Sequence, residues 1–211
     1  MSLESERREY TFGALSRDEL AASPYDQFSL WMDQALSAGI QDPTAMCLAT
    51  VDASGQPWQR IVLLKGFSED GLVFYTNLKS RKGLEIAANS QVSCHFPWLQ
   101  MDRQVIVSGV ATALDPDTAR PYFDQRPRES QLAALVSRQS RPVDSRAALE
   151  QMYQQAEQDY QDNDIPMPED WGGYLVKPVE WEFWQGGRFR LHDRFSYRGE
   201  GSGWDIRRLA P

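Results

Sequence analysis

Ala45-Met-Cys-Leu-Ala-Thr-Val51 and Trp58-Gln-Arg-Ile-Val-Leu-Leu64, separated by Asp52-Ala-Ser-Gly-Gln-Pro57, decide how this chain folds. Two runs rich in β-branched and apolar residues flank a cluster of turn formers, which reads as a hairpin. Working outward, Ser68-Glu-Asp-Gly71 introduces a third strand at Leu72–Thr76, and Gln91–Phe96 and Arg103–Leu114 continue the pattern. Short strands return at Tyr174–Val176, Val179–Trp184, Arg188–Tyr197 and Trp204–Leu209. Helices are expected from Ser23-Pro24, with Phe28, Trp31, Ala35 and Leu36 at helical spacing and Gly39 as the stop, and over Arg81–Asn89 behind a Ser80 cap. Two more run from Asp115-Pro116-Asp117 to about Ser137 and over about Ser145–Asp162.

Many short strands with few crossover helices favour an antiparallel barrel over a doubly wound sheet, so the fold class is mainly β with added helices (α+β). No GxGxxG or P-loop occurs, and a nucleotide cofactor would not be held by a Rossmann domain. The 211 residues suit one domain. Residues 1–20 read as a polar, mobile arm and 21–211 as the folded unit.

The composition is that of a globular chain, 41% hydrophobic and 25% charged. No run approaches the roughly 18 apolar residues of a membrane span. The charged start, Met1-Ser-Leu-Glu-Ser-Glu-Arg-Arg-Glu-Tyr10, lacks the apolar core of a secretory signal, so a cytoplasmic protein is expected. Cys47 and Cys94 lie in apolar runs with no CxxC spacing, and His95 and His192 fit no ligand motif, so a metal site is not expected. A net charge of −8 argues against nucleic-acid binding and makes local basic clusters informative.

Four such clusters occur. Arg60-Ile-Val-Leu-Leu-Lys65 has a cation at each end of an apolar strand. Positions 60 and 65 differ in parity, so either a bulge re-aims one side chain or the two serve different groups. Tyr75-Thr-Asn-Leu-Lys-Ser-Arg-Lys82 sets two cations in the first turn of a helix, where they oppose the helix dipole unless an anion binds there. In Tyr122-Phe-Asp-Gln-Arg-Pro-Arg-Glu-Ser130, Tyr122 and Arg126 are four apart and Arg126 precedes a proline, so its fork can reach outward from a helix end. With Ser130 they could form a second oxyanion pocket, although surface capping and salt bridging is the better explanation of this segment taken alone. In Trp184-Gln-Gly-Gly-Arg-Phe-Arg-Leu-His-Asp-Arg194, an extended chain would place Arg188, Arg190, His192 and Arg194 on one face and Phe189 and Leu191 on the other. Four cations on one strand face are unfavourable unless anions or water meet them, and a charged edge strand is the bland alternative.

In their order and spacing these segments resemble the pyridoxamine 5'-phosphate oxidase family, from Arg7-Arg-Glu-Tyr10 to Arg208-Leu-Ala-Pro211. The pieces that carry it are Arg60–Lys65, Phe74-Tyr-Thr-Asn77, Ser80-Arg-Lys82, Arg126-Pro-Arg-Glu-Ser-Gln131, Phe183-Trp-Gln-Gly-Gly187 and Arg190-Leu-His-Asp-Arg194. The resemblance implies an FMN-binding split β-barrel with flavin at a homodimer interface. It implies that Arg60, Lys82 and their neighbours Ile61, Val62, Leu63, Leu64 and Ser80 hold the FMN phosphate end. Lys65, Tyr75, Thr76, Arg81, Gln104, Gln139, Ser140, Trp184 and Arg194 would complete the flavin site. Lys65, Tyr122, Arg126 and Ser130 would take the substrate phosphate. Arg190 and His192 would flank the pyridine ring as the catalytic pair, and Arg7 and Tyr10 would belong to a lid. The implied chemistry oxidises pyridoxamine or pyridoxine 5'-phosphate with O2. Residues 11–20 are less basic than the family's arm, and a flavin reductase or oxidase of another substrate and a non-catalytic FMN or pyridoxal phosphate carrier are the competing readings.

Overall fold

A computed structural model describes residues 9–201 and 203–211. Among these residues nine strands form one antiparallel sheet: β1 (Ala45–Val51), β2 (Pro57–Leu63), β3 (Gly66–Ser68), β4 (Gly71–Asn77), β5 (Gln91–Trp98), β6 (Arg103–Ala113), β7 (Trp171–Gln185), β8 (Asp193–Glu200) and β9 (Gly203–Leu209). Five helices accompany them: α1 (Pro24–Ser37), α2 (Arg81–Ala88), α3 (Pro116–Asp124), α4 (Arg128–Val136) and α5 (Arg146–Asp159).

The hairpin that opens the sheet forms as expected, with Val51 opposite Pro57 and Leu48 opposite Arg60. Its loop is set by Asp52, whose Oδ1 accepts the Ser54 hydroxyl and the Ser54 and Gln56 amides, while Oδ2 accepts Trp58 Nε1–H at 3.1 Å. These donors, the Ser54 hydroxyl first, hold the Asp52 carboxyl down at about 2. β2 is left at one edge of the sheet, and along it Ile61 is 62% exposed.

The sheet runs β2-β1-β5-β6-β7-β4-β3, with β8 and β9 attached to β7 as a branch. β7 makes this possible. Its first half pairs with β4 (Leu72 opposite Val176) and its second half with β8 (Glu180 opposite Arg198), while β6 runs along its other side. The sequence reading expected two strands here, with Pro178 between them. Pro178 is instead accommodated at a register shift: Ser108 faces Glu180 but Gly109 faces Pro178, so Val179 is an extra residue. A bulge is where a strand tolerates proline, because the missing N–H is not needed by the ladder.

Other differences are local. The three-residue β3 carries too short a pattern to stand out from the turn beside it. The helical stretch from 116 to 137 is two helices, broken at Gln125-Arg126-Pro127 because proline restricts the residue before it. α1 starts on the Ser23 cap and lays Phe28, Trp31 and Ala35 into the core, whereas Leu36 stays exposed. The larger correction concerns Arg188–Tyr197, expected as one strand. Residues 188–190 form a tight turn with positive φ at Phe189 (57°) and Arg190 (64°), and extended structure begins only at Asp193. The common face of Arg188, Arg190, His192 and Arg194 therefore does not exist. Phe189 and Leu191, expected to anchor a strand, are 83% and 69% exposed.

The main core is enclosed by the curled sheet and α1, and is dominated by Phe28, Trp31, Phe74, Phe96, Trp98, Trp181 and Phe183. Leu15 and Leu20 from the N-terminal segment join it. A smaller core of Phe123, Leu132, Ala156 and Trp171 packs α3, α4 and α5 against the start of β7. Between the two lies the cleft that matters for function.

Candidate functional site

The cleft has a volume of about 800 Å³ and is walled by β2, β4, α3 and α4. Arg60, Ile61, Val62, Leu63, Lys65, Tyr75, Thr76, Lys82 and Gln139 line it on the sheet side, and Tyr122, Arg126 and Ser130 on the helical side. The parity question for Arg60 and Lys65 is answered by where β2 stops. The strand ends at Leu63, the Lys65 amide crosses to the Val73 carbonyl at 2.8 Å, and both cations reach one cleft.

Arg60 is fixed by β1 and α2. Nη2 donates to Glu85 at 2.9 Å, and Nη1 donates to the Leu48 carbonyl at 3.2 Å and to Thr50 Oγ1. Glu85 is buried on α2 and is the counter-ion that makes a half-buried guanidinium tolerable. Lys82, buried beside it, donates from Nζ to Gln139 at 2.7 Å, Thr76 Oγ1 at 3.1 Å and Ser80 Oγ at 3.3 Å. Burial pushes its ammonium down to about 8, with the Arg60 charge adding to the push and Glu85 opposing it. All three hydrogen-bond partners of Lys82 are neutral and the Glu85 carboxylate is paired with Arg60, so an anion would balance the remaining cation at this end of the cleft.

At the other end, Arg126 sits 5.2 Å over the Trp171 ring, and its Nη1 is buried with no partner among the described residues. Burial lowers its pKa. An orphaned guanidinium nitrogen in a cleft wall is a donor awaiting an acceptor, and the planar fork suits a phosphate. Tyr75 stacks on Tyr122 at 4.1 Å and on Trp171 at 5.4 Å, giving the cleft a flat aromatic wall.

The remaining expected residues lie elsewhere. Leu64 turns into the core. Ser80 caps α2, accepting the Gly83 amide beneath Lys82. Arg81 leaves the cleft and lies 4.0 Å over the Trp58 ring. Ser140 is exposed next to Gln139. Arg7 falls outside the described residues.

Gln104, Trp184 and Arg194 form a cross-strand row on β6, β7 and β8. Gln104 Oε1 meets His95 Nε2 at 3.0 Å, and Arg194 makes a two-point contact with Glu182 at 2.8 and 3.0 Å. His192 packs on Trp184 at 4.6 Å and on Tyr10 at 5.1 Å, with Arg190 lying 5.4 Å over the Tyr10 ring. The Gly187 amide donates to His192 Nδ1 at 3.1 Å, which puts the proton of the neutral ring on Nε2. Burial, reinforced by Arg190, lowers the His192 pKa and favours that neutral form. So the chain carries two constellations: a cationic cleft, and an aromatic cluster of Tyr10, Trp184 and His192 at the far end of β7.

The sequence reading missed Thr50, Glu85, Asn77, Gln125 and Glu182, all of which support or line these constellations. Thr50 was within reach of hairpin arithmetic, since Leu48 opposite Arg60 leaves Thr50 diagonal to it. Glu85 and Glu182 had no local signal.

A branched antiparallel sheet curled around one core, with a cation-lined cleft on its edge strand, defines the flavin-binding split-barrel class. Residues 32–160 match the model of the pyridoxamine 5'-phosphate oxidase family, and residues 171–211 match its pyridoxine 5'-phosphate oxidase C-terminal dimerisation region. The chain belongs to the pyridoxamine 5'-phosphate oxidase family. It is 53% identical over 211 residues, the full length of both chains, to a pyridoxine/pyridoxamine 5'-phosphate oxidase of Vibrio campbellii. It is 54% identical over 205 residues, 97% of each chain, to the protein of that name from Shewanella oneidensis. Among solved structures it is similar to PhzG of Burkholderia lata 383, crystallised with tetrahydrophenazine-1-carboxylic acid, with a TM-score of 0.87 at 27% identity over 92% of this chain and 95% of that one. The dimerisation region marks the chain as one that pairs with a second copy. No helix among the described residues is long and apolar enough to cross a membrane.

Proposed function

We propose that this chain is an FMN-dependent oxidase that converts pyridoxamine or pyridoxine 5'-phosphate and O2 to pyridoxal 5'-phosphate and H2O2. The observation that carries the proposal is the cleft itself. It gathers Arg60, Lys65, Lys82 and Arg126 in a chain of net charge −8, with one guanidinium nitrogen buried and unpartnered among the described residues and a flat aromatic wall beside it. Two phosphate-bearing aromatic molecules answer that description better than one.

In this reading Arg60 and Lys82, with Thr76 and Gln139, hold the FMN phosphate, and the apolar edge run Ile61–Leu63 lies along the flavin. Lys65, Tyr122, Arg126 and Ser130 receive the substrate phosphate. Arg190 and His192 from the second chain of a homodimer close over the pyridine ring, with Arg194, Trp184 and Gln104 on the flavin. Arg81 and Ser140 take outer positions at that site, and Tyr10, with Arg7, forms a lid over it. When bound, FMN supplies an electron acceptor that O2 can reoxidise. The protein fixes the substrate by its phosphate, and neutral His192 would donate an Nε2–H hydrogen bond to the oxygen on C3 of the pyridine. The alcohol substrate loses two electrons and two protons to give the aldehyde; the amine gives an imine that water hydrolyses to aldehyde and ammonia. The setting we infer is cytoplasmic, consistent with two free cysteines, of which Cys94 is buried with its thiol pushed up to about 12.

The test is direct. Purified protein should carry flavin absorbance and, given pyridoxine 5'-phosphate in air, yield aldehyde and peroxide in equal amounts. Bound flavin without either product would overturn the oxidase reading and favour a carrier. Turnover confined to tetrahydrophenazine carboxylates, the class of molecule bound by the PhzG neighbour, would instead overturn the substrate assignment.

A further inference from the structure

Asp102 lies outside both constellations, yet two separate segments converge on it. It ends the turn between β5 and β6 in the left-handed region (φ 51°, ψ 36°) and is buried. Its carboxylate Oδ2 accepts the amide of Thr11 at 3.1 Å and that of Phe12 at 3.3 Å, which ties down the N-terminal segment just past Tyr10. Its backbone carbonyl accepts the amide of Gly186 at 2.7 Å and Nε2 of Gln185 at 3.2 Å, which ties down the start of the loop that carries Arg190 and His192. The contact is too close for a side chain at 186: a Cβ there would lie 2.6 Å from the Tyr10 ring and 3.0 Å from Asp102 Cβ. A second carboxylate repeats the device four residues further along, where Asp193 Oδ2 accepts the Leu15 amide at 2.9 Å and its Oδ1 meets Arg208.

We propose that Asp102 is a positioning residue for the oxidase: it holds the N-terminal segment so that Tyr10 packs edge-on against His192 and Trp184. The proposal rests on the functional reading above and adds to it the group that orders one wall of the substrate site. Two amides fixed at residues 11 and 12 leave the chain little freedom at residue 10. The Tyr10 ring is thereby held 5.6 Å from Trp184 and 5.1 Å from His192, with Arg190 on its face. The Asp102 carboxylate acts on the backbone of residues 11 and 12, so its expected route to the substrate site is the adjoining Tyr10.

Asp102→Gly is the informative variant, because glycine keeps the left-handed turn and removes the side chain that accepts the two amides. Asp102→Asn is the rescue, since its amide oxygen can still accept both N–H groups and asparagine tolerates positive φ. Hydrogen exchange read at Thr11 and Phe12 in the flavin-free and flavin-loaded protein should quicken at least about tenfold in Asp102→Gly and stay near the parent in Asp102→Asn. With pyridoxine 5'-phosphate, Asp102→Gly should lose about tenfold in kcat/KM, carried by KM, with flavin content unchanged. In a Tyr10→Ala background the same substitution should change kcat/KM by less than about twofold, because residues acting through one another are not additive. Unchanged exchange at Thr11 and Phe12 would overturn the proposal. So would a loss that persists in full without Tyr10, or a loss of flavin in Asp102→Gly. If the unmodified protein binds flavin but makes no aldehyde, it is the oxidase reading that fails, and the exchange result still decides whether Asp102 holds the segment.

Discussion

Replacing Lys82 with Met is expected to weaken FMN binding about thirtyfold. Methionine is close in length, so the packing against α2 survives, but the cleft loses a buried cation. Thr76 Oγ1, Ser80 Oγ and Gln139 Oε1 lose their common donor. A charge-assisted hydrogen bond contributes about 1.5–3 kcal/mol, and about 1.4 kcal/mol is a factor of ten in affinity. The pH dependence supplies a second readout. Lys82 titrates at about 8, well below the usual 10.5, so its charge is fully present only below that pH. Affinity for a phosphate should therefore fall as pH rises through about 8 and beyond, and the bound anion, which favours the charged ammonium, should delay the loss to higher pH. The Met variant should be flat over that range. Flavin fluorescence quenching against FMN concentration, at pH 6 to 10, measures both effects. Parent-like affinity with a parent-like pH profile would take Lys82 out of the site.

Phe28→Ala should be the most damaging single substitution for stability. The side chain is fully buried, and its ring lies 5.0 Å from Phe67, 5.0 Å from Phe96, 5.4 Å from Trp181 and 5.9 Å from Trp98. It is the point where α1 closes the open side of the curled sheet, so nothing else can move in to refill the space. Phe→Ala at such a site costs about 3–5 kcal/mol, a large share of the roughly 5–15 kcal/mol that keeps a domain folded. In denaturant titrations the midpoint should drop with little change in slope, and saturating FMN should restore part of the loss by mass action. Leu36→Ala on the exposed face of the same helix should move the midpoint little. A small effect at Phe28, or equal effects at both positions, would mean that α1 does not close the core.

What could be read from the sequence was what short-range pattern encodes. The Ala45–Leu64 hairpin, the Ser80-capped helix and the cations of the cleft all depend on residues close together in the chain. The Arg188–His192 turn was not legible, because the alternation of cations looks like a strand and nothing in the types of Phe189 and Arg190 announces positive φ. The paired glycines just before it were the only hint. The partners that organise the cations, Glu85 for Arg60 and Glu182 for Arg194, come from other elements and emerge only once the sheet is assembled. Asp102 was invisible for the same reason: its ligands are backbone amides ninety residues away.

The extra residue in β7 works as a change of reading frame. Before Val179 the core takes the even positions, Gly172, Tyr174 and Val176; after it the core takes the odd ones, Trp181, Phe183 and Gln185. β6, running alongside without such a step, presents odd positions throughout. One residue of slippage is thus what lets a single strand serve two neighbours while keeping Trp171 and Trp184, thirteen places apart and of opposite parity, off the face that builds the barrel core. Without that frame change, Trp184 would be counted into the core and Trp181 out of it. The chain would then lose, in one step, both its central packing and the aromatic platform on which His192 rests.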